Sequence, residues 1–257
     1  MARKQKTARA VRPNEGVEAR YRKRLRALIE QMSKSTEYWI SAQYRAAPPV
    51  AQDALPASEM DQRLKELSRR WIKKFKDEAK KWSTDFARQS INSTDSSFQQ
   101  SLKDQGWAVN FKMTRGMSDI ARAAVVENVS LIKSIPEQYF TQVEGIVMRG
   151  FTRGRDLAYI TNELKSRYKV TSNRAAFIAR DQSNKLTSSV IQQRREELGI
   201  TRAIWVHTGA AKEPRKSHMA ANGKEFDVKK GCLIDGKYIQ PGEEINCGCI
   251  SKSVLPF

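Results

Sequence analysis

A stripe of apolar residues in the second quarter of the chain dictates helical architecture. Leu64, Leu67, Trp71, Phe75, Ala79, Trp82 and Phe86 recur every three or four residues, with Lys and Arg filling many of the positions between them. Only an α-helix gathers residues at that spacing onto one face, so a helix of many turns must bury this stripe against other elements. The aromatic rings keep the helical spacing, which points to core or partner-helix packing and not to a platform for stacking bases. Ser58 followed by Asp61 supplies an amino-terminal cap and an acidic first turn.

Residues 14–46 are helix-permissive and basic, and they stop at Ala47-Pro48-Pro49, where proline breaks a helix. Residues 47–57, with a further Pro56, read as a linker or elbow. The polar run Ser90–Ser101 reads as frayed or looped, and Trp107, Val109 and Phe111 alternate like a short strand or docking segment. A second helical block carries Ile120, Ala124, Val125, Val129, Ile132 and Ile135 up to Pro136. It resumes with Tyr139, Phe140, Val143, Ile146 and Val147 before Gly150. Gly154 precedes another helix, and Ser172 opens a last long one that Gly199 stops. Four helices joined by short loops suit a bundle.

Beyond Gly199 the segment Ile200–Val206 is β-prone. Asn222-Gly223, Asp235-Gly236 and Pro241-Gly242 are turn dipeptides spaced for short hairpins. The expected fold class is α+β: a mostly helical body of long amphipathic helices with a small hairpin-rich α+β carboxy-terminal domain. The expected division is a basic amino-terminal arm and Pro-rich linker at 1–57, an amphipathic-helix region at 58–114, a helical bundle at 115–199 and the small domain at 200–257.

Charge speaks to partners and not to fold. Forty-seven Lys and Arg stand against 28 Asp and Glu, a net charge of +19. The early part of the chain concentrates it in Arg3, Lys4, Lys6, Arg9, Arg12, Arg20, Arg22, Lys23, Arg24 and Arg26. Phosphate is the natural partner for such a cluster, since neutralising it releases counterions; a solubilising surface is the plainer alternative. No helix-turn-helix, finger or RNA-binding signature is present, so the DNA contact expected is non-specific. The composition of residues 1–57 suggests order only on contact. Mean hydropathy is −0.65, no apolar run reaches membrane-spanning length, and no apolar segment follows the charged start. Synthesis in a cytoplasm without a membrane span is therefore expected.

Three cysteines, Cys232, Cys247 and Cys249, fall in the last 26 residues. An odd number without an export signal argues against a disulfide framework. His218, Cys247 and Cys249 form a candidate zinc set, with Cys232 and His207 as further candidates, although ligand pairs usually stand two to four residues apart. Packing within a small domain is the plainer alternative, and a Cys-His nucleophile pair is a third. Gly150-Phe151-Thr152-Arg153-Gly154 lacks the Gly-Lys-Ser/Thr ending of a phosphate loop. The carboxylate pairs Glu196-Glu197 and Glu243-Glu244 point apart and read as solvated, with Glu243 a candidate to cap its turn or pair with Arg215. No catalytic residue emerges, no enzyme is expected, and no cofactor beyond that zinc.

One ordered series spans the carboxy-terminal third. Ile178-Ala179-Arg180-Asp181-Gln182 leads to Trp205, then Arg215 and His218, then Pro241-Gly242-Glu243 and Asn246-Cys247-Gly248-Cys249. This series resembles the Mu-F-like domain of phage minor head and head-morphogenesis proteins, over about residues 115–253. Two departures concern chemistry and not fold. Gly209-Ala210-Ala211-Lys212 stands where the family often has an Asp, and Gly248 where it often has an Arg. The resemblance marks Trp205, Arg215, His218, Pro241, Asn246, Cys247 and Cys249 as the structural motif. It implies a low-copy structural component of the virion, located in the phage head interior after synthesis in the bacterial host cytoplasm. Its partners would be the portal protein or the capsid interior, non-specific DNA, and further copies of itself. The alternative is a basic nucleic-acid-binding protein acting in DNA packaging or delivery.

Overall fold

The computed structural model describes residues 5–46, 57–152, 156–209 and 213–257. Arg3, Lys4, Gly154 and nearly all of the expected linker lie outside these. Along the chain run β1 (Thr7–Ala8), α1 (Glu15–Ala46), α2 (Ala57–Lys103), α3 (Arg115–Thr152) and α4 (Leu157–Glu197). Then follow β2 (Arg202–Val206), α5 (Lys216–Ala220), β3 (Glu225–Asp227), β4 (Cys232–Ile234), β5 (Lys237–Ile239) and β6 (Ile250–Val254). The molecule is thus mostly helical α+β with a small antiparallel sheet late in the chain, as its hydrophobic periods required. Two compact units share the long helices, each of which contributes a stretch to both.

The all-helical unit comprises the described residues of Arg20–Ser83 and Glu127–Ile178. The stripe of α2 packs as its spacing dictates: Leu64, Leu67, Trp71, Phe75 and Ala79 are buried, and Trp82 is half-buried. Each such large side chain contributes about 1.5–3 kcal/mol on burial. Ser58 falls inside the first turn of α2 and not ahead of it. From α1, Leu25, Ile29 and Met32 are fully buried, and Tyr21 Oη donates to Asn128 Oδ1 at 2.8 Å. Residues 20–46 therefore do not wait for an outside partner to become ordered; their apolar face is covered within the chain. The helix leading up to Pro136 and the one after it are a single helix, α3. A proline in a helix interior costs about 3 kcal/mol. Ile132, Ile135, Tyr139, Phe140 and Val143, all buried around it, outweigh that cost. Ser172 likewise opens nothing: α4 runs through it, with Thr171 Oγ1 donating back to the Arg167 carbonyl at 2.9 Å. Residues 115–199 consequently hold two long helices and not four.

The mixed unit comprises the described residues up to Ala19, Thr84–Val126 and Ala179–Phe257. Its main sheet is ordered β1-β6-β2-β3, antiparallel throughout, with Trp205 opposite Ser251 and Ala203 opposite Ser253. Thr7 pairs with Val254 and Ala8 with Ser253, so the amino-terminal residues form an edge strand on the carboxy-terminal one. β4 and β5 form a hairpin around Asp235-Gly236, both at positive φ (51° and 75°), the arrangement a two-residue type I′ turn demands.

Ser90–Ser101 is helical, not looped. Ser90, Ile91, Thr94, Phe98, Ser101 and Leu102 are buried at helical spacing. Small hydroxyls occupy half of that face, and Ser101 Oγ satisfies itself on the Phe98 carbonyl at 3.0 Å. Trp107, Val109 and Phe111 join no strand; half-buried, they dock on a cluster that includes Phe98, Leu102, Ile191 and Ile200, and Phe111 stacks on Phe98 at 5.8 Å. Gly199 stops α4 as expected. At φ 69° it lets the Ile200 N–H reach back to the Arg195 carbonyl at 2.8 Å, a Schellman closure.

Candidate functional site

The end of α4 presents two adjacent buried arginines to the mixed unit. Arg194 forks onto Asp95 (Nε–Oδ1 2.9 Å, Nη2–Oδ2 2.7 Å) and donates from Nη1 to Glu197 at 2.7 Å and to the Lys112 carbonyl at 2.9 Å. Burial pulls its pKa down, and the hydrogen bonds and charges of Asp95 and Glu197 raise it overall. Arg195 donates to Ser253 Oγ at 2.8 Å, Ser251 Oγ at 2.9 Å and the Ser251 carbonyl at 3.1 Å, tying α4 to β6. Burial pushes its pKa down to about 9, which leaves it charged at neutral pH.

About two to four turns further back, α4 grips the segment that enters β6. Asp181 Oδ1 accepts the Asn246 N–H at 2.6 Å, and Arg180 Nη2 donates to Asn246 Oδ1 at 2.8 Å. Asn246 sits at φ 60°, a conformation asparagine tolerates better than most residues. Asn184 donates to the Cys247 carbonyl at 3.1 Å, and Ser188 donates to the Pro241 carbonyl. Thr208, just past β2, donates to the Gly248 carbonyl at 2.8 Å.

That grip brings the cysteines to α5. His218 Nδ1 lies 3.4 Å from Cys247 Sγ and 3.8 Å from Cys249 Sγ, and one donor atom from each of the three residues lies within 4.8 Å of the others. All three residues are buried, and Trp205 meets the imidazole edge-on at 5.4 Å. On its far side, His218 Nε2 lies 3.2 Å from Glu244. Glu244 in turn lies 3.3 Å from Arg215, whose Nη2 donates to the Ile245 carbonyl at 2.9 Å. With a carboxylate at Nε2, a neutral imidazole carries its proton there and turns the Nδ1 lone pair to the sulfurs.

The hydrogen bond from Cys249 lowers the Cys247 thiol below its ordinary range, against the effect of burial. The same bond, together with burial, raises Cys249. Cys232 belongs to the same apolar cluster but lies outside the trio, and burial raises its pKa. His207, Thr208 and Glu213 line a cavity of ≈ 120 Å³ beside the trio. Two sulfurs and an imidazole nitrogen make a donor set for a borderline-soft cation.

Several sequence expectations need correction here. Arg215 pairs with Glu244, while Glu243 caps its own turn by accepting the Gln240 N–H at 2.7 Å. Neither Glu197 nor Glu244 is simply solvated: Arg194 holds the first, and Arg215 with His218 the second. Arg194, Arg195, Asp181 and Glu244 went unnoticed as site residues. A signal for the arginines existed, since both follow the buried Val190 and Ile191 by one helical turn.

The basic candidates are distributed over both units. Lys6, Arg9 and Arg12 are exposed in the mixed unit, the first two flanking β1. The Lys6 carbonyl accepts the Leu255 N–H at 2.9 Å. Arg20, Lys23, Arg24 and Arg26 are exposed on α1 in the helical unit, with Arg22 half-buried. Among the described residues no helix is long and apolar enough to cross a membrane.

The grip of α4 on the terminal segment, the trio and the Trp205 strand all fall inside one stretch matched by a family model, described as Phage Mu protein F like protein, at residues 141–251. An uncharacterized protein of Haemophilus influenzae is 34% identical over 139 residues, covering 54% of this chain and 30% of that protein. The chain thus spans under a third of that relative's length. No solved structure matches it. Over residues 141–251, the chain is thus similar to the Phage Mu protein F like family.

Proposed function

We propose that this chain is a phage minor head protein: a structural, non-enzymatic component of the virion that acts in head morphogenesis at the portal or the capsid interior. One observation carries the reading. Within the family-matched stretch, the polar side chains of α4 (Arg180, Asp181, Asn184, Ser188 and, at its end, Arg195) are spent on holding the segment that enters and forms β6. Groups committed to backbone carbonyls and turns build a rigid docking module, and rigidity is what an assembly component needs. The test is deletion of the gene from the phage that encodes the chain. Aberrant or DNA-poor heads, restored by supplying the protein in trans, are expected; a normal yield of infectious particles would overturn the reading.

Non-specific DNA contact is a second, compatible reading, favoured by the net charge of +19 and by exposed Lys6, Arg9, Arg12, Lys23 and Arg26. Each phosphate contact contributes about 0.9 to the slope of log affinity against log salt. Replacing Lys6, Arg9 and Arg12 together by Gln should flatten that slope; an unchanged slope and affinity would place the contact elsewhere. A head protein facing packaged genome, or a packaging factor, gains from such contact, and self-association at the head would add to it.

A further inference from the structure

The trio has the dimensions of a metal site. With metal–sulfur bonds of about 2.3 Å and metal–nitrogen bonds of about 2.0–2.1 Å, a tetrahedral zinc holds its sulfur and nitrogen ligands about 3.5 Å apart. The two Nδ1–Sγ separations of 3.4 and 3.8 Å straddle that value. The sequence spacing of the cysteines is tighter than the usual ligand pair. Residues two apart in a run entering a strand nonetheless share a face, and the Thr208 bond to the Gly248 carbonyl fixes the residue between them.

What surrounds the trio also suits a metal. His218 Nε2 faces Glu244, and Arg215 holds Glu244, which is the carboxylate–histidine arrangement that orients a ligating imidazole. The buried Trp205, whose Nε1–H has no hydrogen-bond partner, packs edge-on against the His218 ring at 5.4 Å. Plain packing of neutral thiols requires none of this alignment.

The geometry points to a zinc site ligated by Cys247, Cys249 and His218, oriented by Glu244 and Arg215, with its fourth position opening on the cavity beside His207. Two sulfur donors in three select zinc over magnesium or calcium. Bound there, the ion cross-links α5 to the segment entering β6, so it contributes to folding of the terminal region. The inference is independent of the head-protein reading.

The experiment uses the full chain, purified under reducing conditions and reconstituted with Zn²⁺ or Co²⁺. One equivalent of zinc per chain is expected, and the cobalt form should show strong tetrahedral d–d absorption with a thiolate-to-cobalt charge-transfer band. Cys247→Ser and Cys249→Ser should each weaken that band. Glu244→Gln should keep the tetrahedral spectrum while lowering zinc affinity about 10–100-fold. Because the cysteine variants can fail to fold, alkylation of the wild-type chain supplies the second measurement: zinc should slow labelling of Cys247 and Cys249 many-fold. Substoichiometric zinc after reconstitution, labelling indifferent to zinc, or unchanged zinc affinity in a folded double-serine variant would each overturn the assignment.

Discussion

Replacing Asp95 by Ala removes one side of a buried, multiply hydrogen-bonded ion pair in the mixed unit. Arg194 is 1% exposed, and its guanidinium lies 4.6 Å from the Phe111 ring centre. Losing Asp95 strips two of its four hydrogen bonds at once, the 2.9 and 2.7 Å fork. Breaking a fully buried pair costs about 3–5 kcal/mol, because the remaining charge is left uncompensated. Two facts reduce that figure here. Glu197 stays within 2.7 Å, and the Asp95 and Glu197 side chains are 17% and 22% exposed, so water screens part of the loss. A cost of about 2–3 kcal/mol follows. Arg194→Met removes the other side, and a double-mutant cycle of the two substitutions should return a coupling of about 1.5–3 kcal/mol. Urea unfolding followed by tryptophan fluorescence reads it, since Trp107 and Trp205 both belong to this unit. A loss on Asp95→Ala, or a coupling, below about 0.5 kcal/mol would refute the claim that this pair anchors α2 to α4.

Three further outcomes are expected. Burial raises the Glu197 carboxyl, but hydrogen bonds from Thr114, Arg194 and Gln193 outweigh it, so the folded pKa lies below the usual 4.5. Its stabilisation is therefore complete above the ordinary glutamate range and is lost as pH falls through the depressed folded value; Glu197→Gln should flatten the fall of urea midpoint on acidification. Gly231→Ala places a Cβ 2.7 Å from the Ile239 carbonyl oxygen at φ 91°, and should cost about 1–3 kcal/mol in thermal or urea unfolding. Tyr21→Phe leaves the buried Asn128 without the 2.8 Å hydroxyl bond and should lower stability by about 1–3 kcal/mol, read as a shifted unfolding midpoint of the helical unit.

What could be seen in the sequence was whatever hydrophobicity or backbone geometry records locally. The Leu64–Phe86 stripe, the Gly199 stop and the Asp235-Gly236 hairpin each carry their own signal. Where tertiary burial overrules a local penalty, nothing local reports it: Pro136 sits inside α3 because the apolar residues on both sides of it are buried. Ser90, Thr94 and Ser101 form a buried helical face from small hydroxyls, which a hydropathy scan mistakes for a loop. The pairing of β1 with β6 joins the two ends of the chain and has no local signature. At the candidate site the residue types of His218, Cys247 and Cys249 were visible, but their convergence depends on Asp181, Asn184 and Thr208 gripping the terminal segment. Glu244 stood beside the more conspicuous Pro-Gly-Glu turn, and spacing alone could not say which carboxylate faces the histidine.

Heads purified from the phage that encodes this chain, washed in high salt and analysed by quantitative peptide mass spectrometry, should contain it at a low and reproducible copy number relative to the major capsid protein. Heads that assemble, fill and purify without any of its peptides would contradict its assignment as a component of the virion.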